Sequence, residues 1–200
     1  MPKRSLWSKI APALPLLFTV ACSGDGYTYS SYHCNLVIDN ATHLDATLAS
    51  AMNMMSPGVF CKITYNNSKK AYVFTNNQGQ SSSTPLTASE IERLGRTSRV
   101  GLNNGLIVGY GSLSSTDSGY TFYAFDAECP NCFDFNAIPL RSYPLTMTTA
   151  GMPAGISECA NCKRQYNMNT GGNCINNTGS KGLITYRAAS SGALGTLTVN

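Results

Sequence analysis

The chain has 200 residues, a formal net charge of +4, 12% charged residues, 18 glycines and 8 cysteines. No basic run exceeds two residues, as at Lys69-Lys70 and Lys163-Arg164, so the electrostatic footprint of a nucleic-acid-binding protein is missing. Once a leader is set aside, about 180 residues remain, enough for one domain with a sizeable core.

Lys3 and Arg4, the apolar run 11–20 and the small residues up to Ala21 follow the order of a signal peptide over residues 1–21. The run is well short of the roughly 20 residues a membrane-spanning helix needs. Cys22, directly after Ala21, resembles the acylated cysteine of a bacterial lipobox, although Thr19 stands where that motif usually has Leu. On this reading Cys22 carries lipid and holds the protein to a membrane in the cell envelope, on a periplasmic or outer-membrane face. An ordinary secretory signal is the alternative. Residues 22–33, rich in Gly, Ser and Tyr, then form a flexible tether, and the domain runs from 34 to 200.

Within that domain "CNLVIDN" predicts a strand ending in a turn at Asp39-Asn40. Leu44, Leu48, Ala51, Met52 and Met55 recur at helical spacing, which predicts one helix from Ala41 with Asn40 as its cap and the methionines packed as core. "GVFCKITYNN" and "KAYVFTNN" predict a hairpin turning at Asn66-Asn67, and 78–83 reads as a polar loop. Thr87 and Glu90 have capping-box spacing, with Leu86 and Ile91 placed as a staple and Gly95 as the stop. Beyond residue 99 the pattern is strands: "GLIVGYGSL", "YTFYAFDAECPNC", an edge or loop through Pro139 and Pro144, and a closing hairpin of "LITYRAA" and "GTLTVN".

Two stretches carry chemistry. "CPNC" (Cys129, Cys132) and "CANC" (Cys159, Cys162) each bring two sulfurs to one side of a tight turn, and two such turns facing each other make a tetrahedral metal site. Asn131 and Asn161 occupy equivalent places, where Asn tolerates a left-handed backbone. An oxidising compartment allows two other readings: disulfides across the knuckles (Cys129 with Cys162, Cys132 with Cys159) and a redox-active dithiol. Cys34 and Cys61 lie in apolar stretches that would be neighbouring strands, giving either a disulfide or two buried thiols. Cys174 is left as an inert, partly exposed thiol. His33 and His43 read as polar surface or capping residues, Glu128 and Glu158 as loop-edge residues, and no catalytic constellation is legible.

"FYAFDAECPNC", "ECANCKRQYNMNTGG" and "LITYRAASSGALGTLTV" together resemble the Rieske-type ferredoxin domain, in which a strand enters one cluster loop, a second loop follows, and a strand pair closes the fold. The chain also resembles a group of Bacteroidetes-type envelope lipoproteins that offer no firm function. The Rieske likeness implies a mainly β sandwich or barrel with one or two short helices and a smaller, rubredoxin-like or zinc-ribbon-like metal-loop subdomain at about 126–174. Rieske loops pair each cysteine with a histidine; here Cys132 and Cys162 stand in the histidine places, so the imidazole chemistry that raises a Rieske potential does not transfer. Four cysteines suit one zinc, with rubredoxin-like iron or a [2Fe–2S] cluster as alternatives. A structural or binding role in the envelope is the expected function, and electron transfer to an envelope oxidoreductase is the alternative.

Overall fold

The computed structural model describes residues 29–95, 99–103, 105–116, 119–147 and 153–200. The expected signal peptide, Cys22 and the start of the tether lie outside the described residues. Of the tether, Tyr29 bridges Thr185, the Ser30 amide donates to the Thr185 carbonyl at 2.8 Å, and the Arg187 guanidinium lies 5.4 Å from the Tyr29 ring centre.

β1 (Leu36–Asp39) leads into α1 (Asn40–His43) and α2 (Ala46–Met52). The single helix expected here is broken at Leu44, which adopts φ 52. Both halves are capped by aspartate: Asp39 accepts the Ala41 amide at 3.2 Å and Asp45 accepts the Leu48 amide at 2.9 Å. Asn40 is no cap. Its buried side chain donates to the Asp45 and Ala193 carbonyls and accepts the Asp45 amide, bonding that specifies the break. Consequently the apolar stripe is only partly core: Leu48, Ala51 and Met52 are buried, while Leu44 and Met55 face solvent.

β2 (Phe60–Asn66) and β3 (Ala71–Asn76) form the expected hairpin, with Asn66 opposite Ala71. The second half of the expected polar loop is instead the start of β4 (Ser81–Pro85), an edge strand on β3. Its polar side chains are consistent with a sheet edge, and several are used: Ser83 Oγ donates to the Tyr72 carbonyl and Ser82 Oγ to Asp45. In α3 (Ala88–Gly95) the Glu90 carboxylate accepts the Thr87 amide at 2.8 Å, as a capping box requires. Ile91, expected to staple against Leu86, is exposed.

β5 (Leu106–Thr116) and β6 (Gly119–Asp126) pair along their length. After them come β7 (Leu145–Thr146), β8 (Ile156–Cys159), β9 (Gln165–Asn167), a 3-10 turn at Met168–Thr170, and β10 (Asn173–Cys174). β11 (Thr185–Tyr186), β12 (Ala188–Ser190) and β13 (Thr196–Val199) close the chain. The closing hairpin is β12–β13; β11 leaves it to pair with β6.

The described residues are thus mainly β, in three antiparallel sheets: β11-β6-β5-β2-β3-β4, β1-β13-β12 and β10-β9-β8-β7. Side chains alternate across a strand; β5 and the end of β6 are buried on both faces, and β2 buries Cys61, Ile63 and Tyr65 on one face and Phe60 on the other. Cys61, Ile63, Val108 and Ala124 join one core with α2 and the three-stranded sheet. Phe60, Ile107 and Phe125 join the other with Cys129, Cys159 and Tyr166 of the cysteine-bearing region. Gly111 permits the second packing, since a Cβ there would stand 2.5 Å from the Asn169 carbonyl oxygen.

Cys34 and Cys61 are both buried free thiols in the first core. Their stretches are not neighbouring strands: β1 pairs with β13, whereas β2 pairs with β3 and β5. Burial pushes the Cys34 thiol up to about 11, and the Cys61 thiol is also raised by burial.

Candidate metal centre

The first knuckle follows β6. The Cys132 and Phe133 amides donate to the Cys129 carbonyl at 3.1 and 2.9 Å, and the Cys129 amide donates to Tyr143. The second lies between β8 and β9, where the Lys163 amide donates to the Cys159 carbonyl at 2.9 Å and the Cys159 amide to Arg164. Both turns therefore close the same bond, from the fourth residue after a cysteine back to its carbonyl. The left-handed residue is Lys163 (φ 59), however, and neither expected asparagine adopts that conformation. Asn131 and Asn161 act through their side chains: Asn131 Nδ2 donates to Tyr166 Oη at 3.0 Å and to the Lys181 carbonyl at 2.9 Å, and Asn161 Nδ2 lies 3.3 Å from Cys132 Sγ.

These turns bring the Sγ atoms of Cys129, Cys132, Cys159 and Cys162 within 4.8 Å of one another. Cys129 and Cys162 are 3.6 Å apart, and Cys132 and Cys159 are 3.9 Å apart. Four sulfurs 2.3 Å from one ion stand about 3.8 Å apart in a tetrahedron, whereas a disulfide bond is about 2.05 Å. The spacing fits one four-coordinate ion. Cys129 and Cys159 are buried and the second cysteine of each knuckle is half-buried, so the cluster has an inner and an outer side.

Polar hydrogens converge on the sulfurs. Tyr166 Oη is 3.2 Å from Cys129 Sγ, and the backbone amides of Asn131 and Arg164 hydrogen-bond the sulfurs of Cys129 and Cys162. Burial pushes the Cys129 thiol up to about 12 against the lowering effect of Tyr166. At Cys162 burial also raises, but the Arg164 side chain and amide prevail and bring the thiol down to about 6. Four thiolates around a divalent ion leave a charge near minus two, and Arg164 partly offsets it. Lys163 is exposed, the solvated half of that cationic pair.

Beneath the first knuckle lies a carboxylate node of which the sequence announces only Glu128. Glu128, 3% exposed, accepts from Asn103 Nδ2 at 2.8 Å, Ser142 Oγ at 2.6 Å and the Tyr143 amide, tying the start of the loop to its return. Asp126 accepts from the Leu102 and Glu128 amides and from Tyr186 Oη, and burial raises its pKa. Glu158 accepts from Gln165 across the second knuckle. The loop-edge roles expected of Glu128 and Glu158 agree with these bonds; Asp126 and Tyr186 were missed, because nothing in the spacing links residues sixty positions apart.

Neither histidine joins the cysteines. His33 is exposed beside Asn200. His43, read from the sequence as a surface or capping residue, stands in the last turn of α1 with its side chain only 3% exposed, Nε2 2.9 Å from Glu90 and Nδ1 3.0 Å from Thr84 Oγ1. Cys174 is half-buried on β10, opposite Tyr166.

Fold and site together define a mainly β protein with a compact four-cysteine cluster where β6 leaves the large sheet. No family model, curated protein or solved structure matches the chain.

Proposed function

We propose that Cys129, Cys132, Cys159 and Cys162 bind one metal ion as thiolates and that this ion staples the cysteine-bearing sheet together. The single observation that carries this reading is the approach of all four sulfurs to within 4.8 Å, with the cross-knuckle pairs at 3.6 and 3.9 Å. That compactness favours one ion over a [2Fe–2S] cluster, in which the sulfurs divide between two irons. Zinc is the first choice: it takes tetrahedral thiolates without redox demands and supplies structure only. The role is then structural or binding.

Rubredoxin-like iron is the second reading. It draws on the half-buried Cys132 and Cys162, which give the site an outer side, and on the donors facing the sulfurs, the features that tune iron–thiolate potentials. The chain would then be an electron-transfer component. The Rieske-type resemblance is supported by element order: β6 enters one knuckle, β7 and β8 lead to the second, and β12–β13 close the fold beside β1. The lipid anchor at Cys22, and with it an envelope location and an envelope protein partner, rests on the signal-like N-terminus; labelling with a radioactive fatty acid should mark the native chain and leave Cys22→Ser unmarked.

Metal analysis of the natively produced protein tests the site. About one zinc per chain in colourless protein supports the first reading, and one iron in red protein the second. A chain without metal whose four knuckle cysteines are paired as disulfides would refute both.

A further inference from the structure

We infer that the loop leaving the first knuckle is a docking surface for an acidic protein. Three large apolar side chains within six residues face water: Phe135 is 45% exposed, Ile138 97% and Leu140 42%. Isolated exposed apolar residues are ordinary, but a group of them beside a fixed site marks a contact surface. The loop is built to hold this shape. The Asn136 amide donates to Asp134 Oδ1 at 2.9 Å and the Ala137 amide to the Asp134 carbonyl at 3.2 Å, while the Phe135 ring lies 5.0 Å from the Arg99 guanidinium and 6.4 Å from the Tyr32 ring. Its two ends are tied at Cys129 and Glu128.

Charge selects the occupant. Arg141 follows Leu140, Lys163 follows the second knuckle, and Lys181 is clamped to the first through Asn131; all three are exposed, against one exposed acid, Asp134, in the same loop. A second copy of the chain would set cations against cations. Two of the three apolar side chains are only about half exposed, leaving one projecting knob, Ile138, which suits a pocket on a protein better than insertion into a bilayer. An acidic protein surface with an apolar pocket satisfies both features. The metal reading enters only in that the ion would fix the knuckle from which the loop springs.

The test places a photo-crosslinking benzoylphenylalanine at position 138 of the full chain, in the cells that naturally make it, with position 44 (Leu44, 68% exposed) as control. The expected result is a discrete adduct with an acidic protein from 138 and none from 44. It should be lost in Arg141→Glu and in the pair Lys163→Glu with Lys181→Glu, and weaken about tenfold between low and high salt. The same adducts from both positions, a lipid or self adduct from 138, or an adduct indifferent to Arg141→Glu would overturn the inference. Metal content is read on each variant. A metal-free wild type that still forms the adduct would refute the site and leave the docking surface standing; metal-loaded protein without the adduct would do the reverse.

Discussion

The large sheet and the cysteine-bearing sheet solve the same problem with different means. β2, β3, β5 and β6 are long, buried on both faces or one, and held by ladders of six or more residue pairs in β2–β3 and β5–β6. In the other sheet β7 and β10 have 2 residues each and β9 has 3, too few for backbone pairing to hold the sheet alone. The short strands therefore rely on what packs against them, the core of Phe60, Ile107, Phe125 and Tyr166, and the four sulfurs gather beside those strands.

The largest expected effect breaks one region and spares the other. Cys159→Ser should abolish metal binding, and hydrogen exchange should then become fast in 128–145 and 156–174 while β2, β5 and β6 remain protected. Equal protection in both forms would show that the ion holds nothing. The converse is Phe74→Ala, which opens a cavity in the first core; chemical denaturation should show a loss of about 3–5 kcal/mol, with metal still bound before unfolding.

Alkaline pH probes the same core. Because the Cys34 thiol is raised from 9.0 to about 11 by burial, its contribution is fully present below pH 9 and is lost as pH rises through 11. The loss amounts to about 2–3 kcal/mol, and Cys34→Ala should flatten that part of the stability–pH curve. At the border between the regions, Glu128→Gln replaces an acceptor-only carboxylate that receives three donors; it should cost about 1–3 kcal/mol by thermal unfolding. The smallest effect is Arg164→Ala. Removing the group that brings the Cys162 thiol down lets protons compete earlier, so the pH at which metal is released on acidification should move up by about one unit or less.

The sequence announced the cysteine end better than the large sheet's surroundings. Cys-x-x-Cys spacing is local, and so is the turn it implies, so Cys129, Cys132, Cys159 and Cys162 could be named from the chain alone. Asn131 and Asn161 stand out in the sequence for the backbone Asn tolerates, but their contribution comes from side-chain amides whose partners, Tyr166, Lys181 and Cys132, are distant in sequence. The helix break at Leu44 was hidden because helical periodicity continues through it; the buried Asn40 decides, by bonds to Asp45 and Ala193 that no pattern records. Residues 78–83 hold only Gln, Gly and Ser, which signal a loop, and only pairing with the neighbouring β3 makes Ser81, Ser82 and Ser83 part of a strand. His43 reads in the sequence as surface or cap; only the fold brings Glu90 and Thr84 to its two nitrogens and buries its side chain.

X-ray absorption at the metal edge tests the central claim most directly. The account predicts one shell of four sulfurs at about 2.3 Å and no second metal nearby. Nitrogen or oxygen in that shell, a metal–metal distance, or no bound metal at all would contradict it.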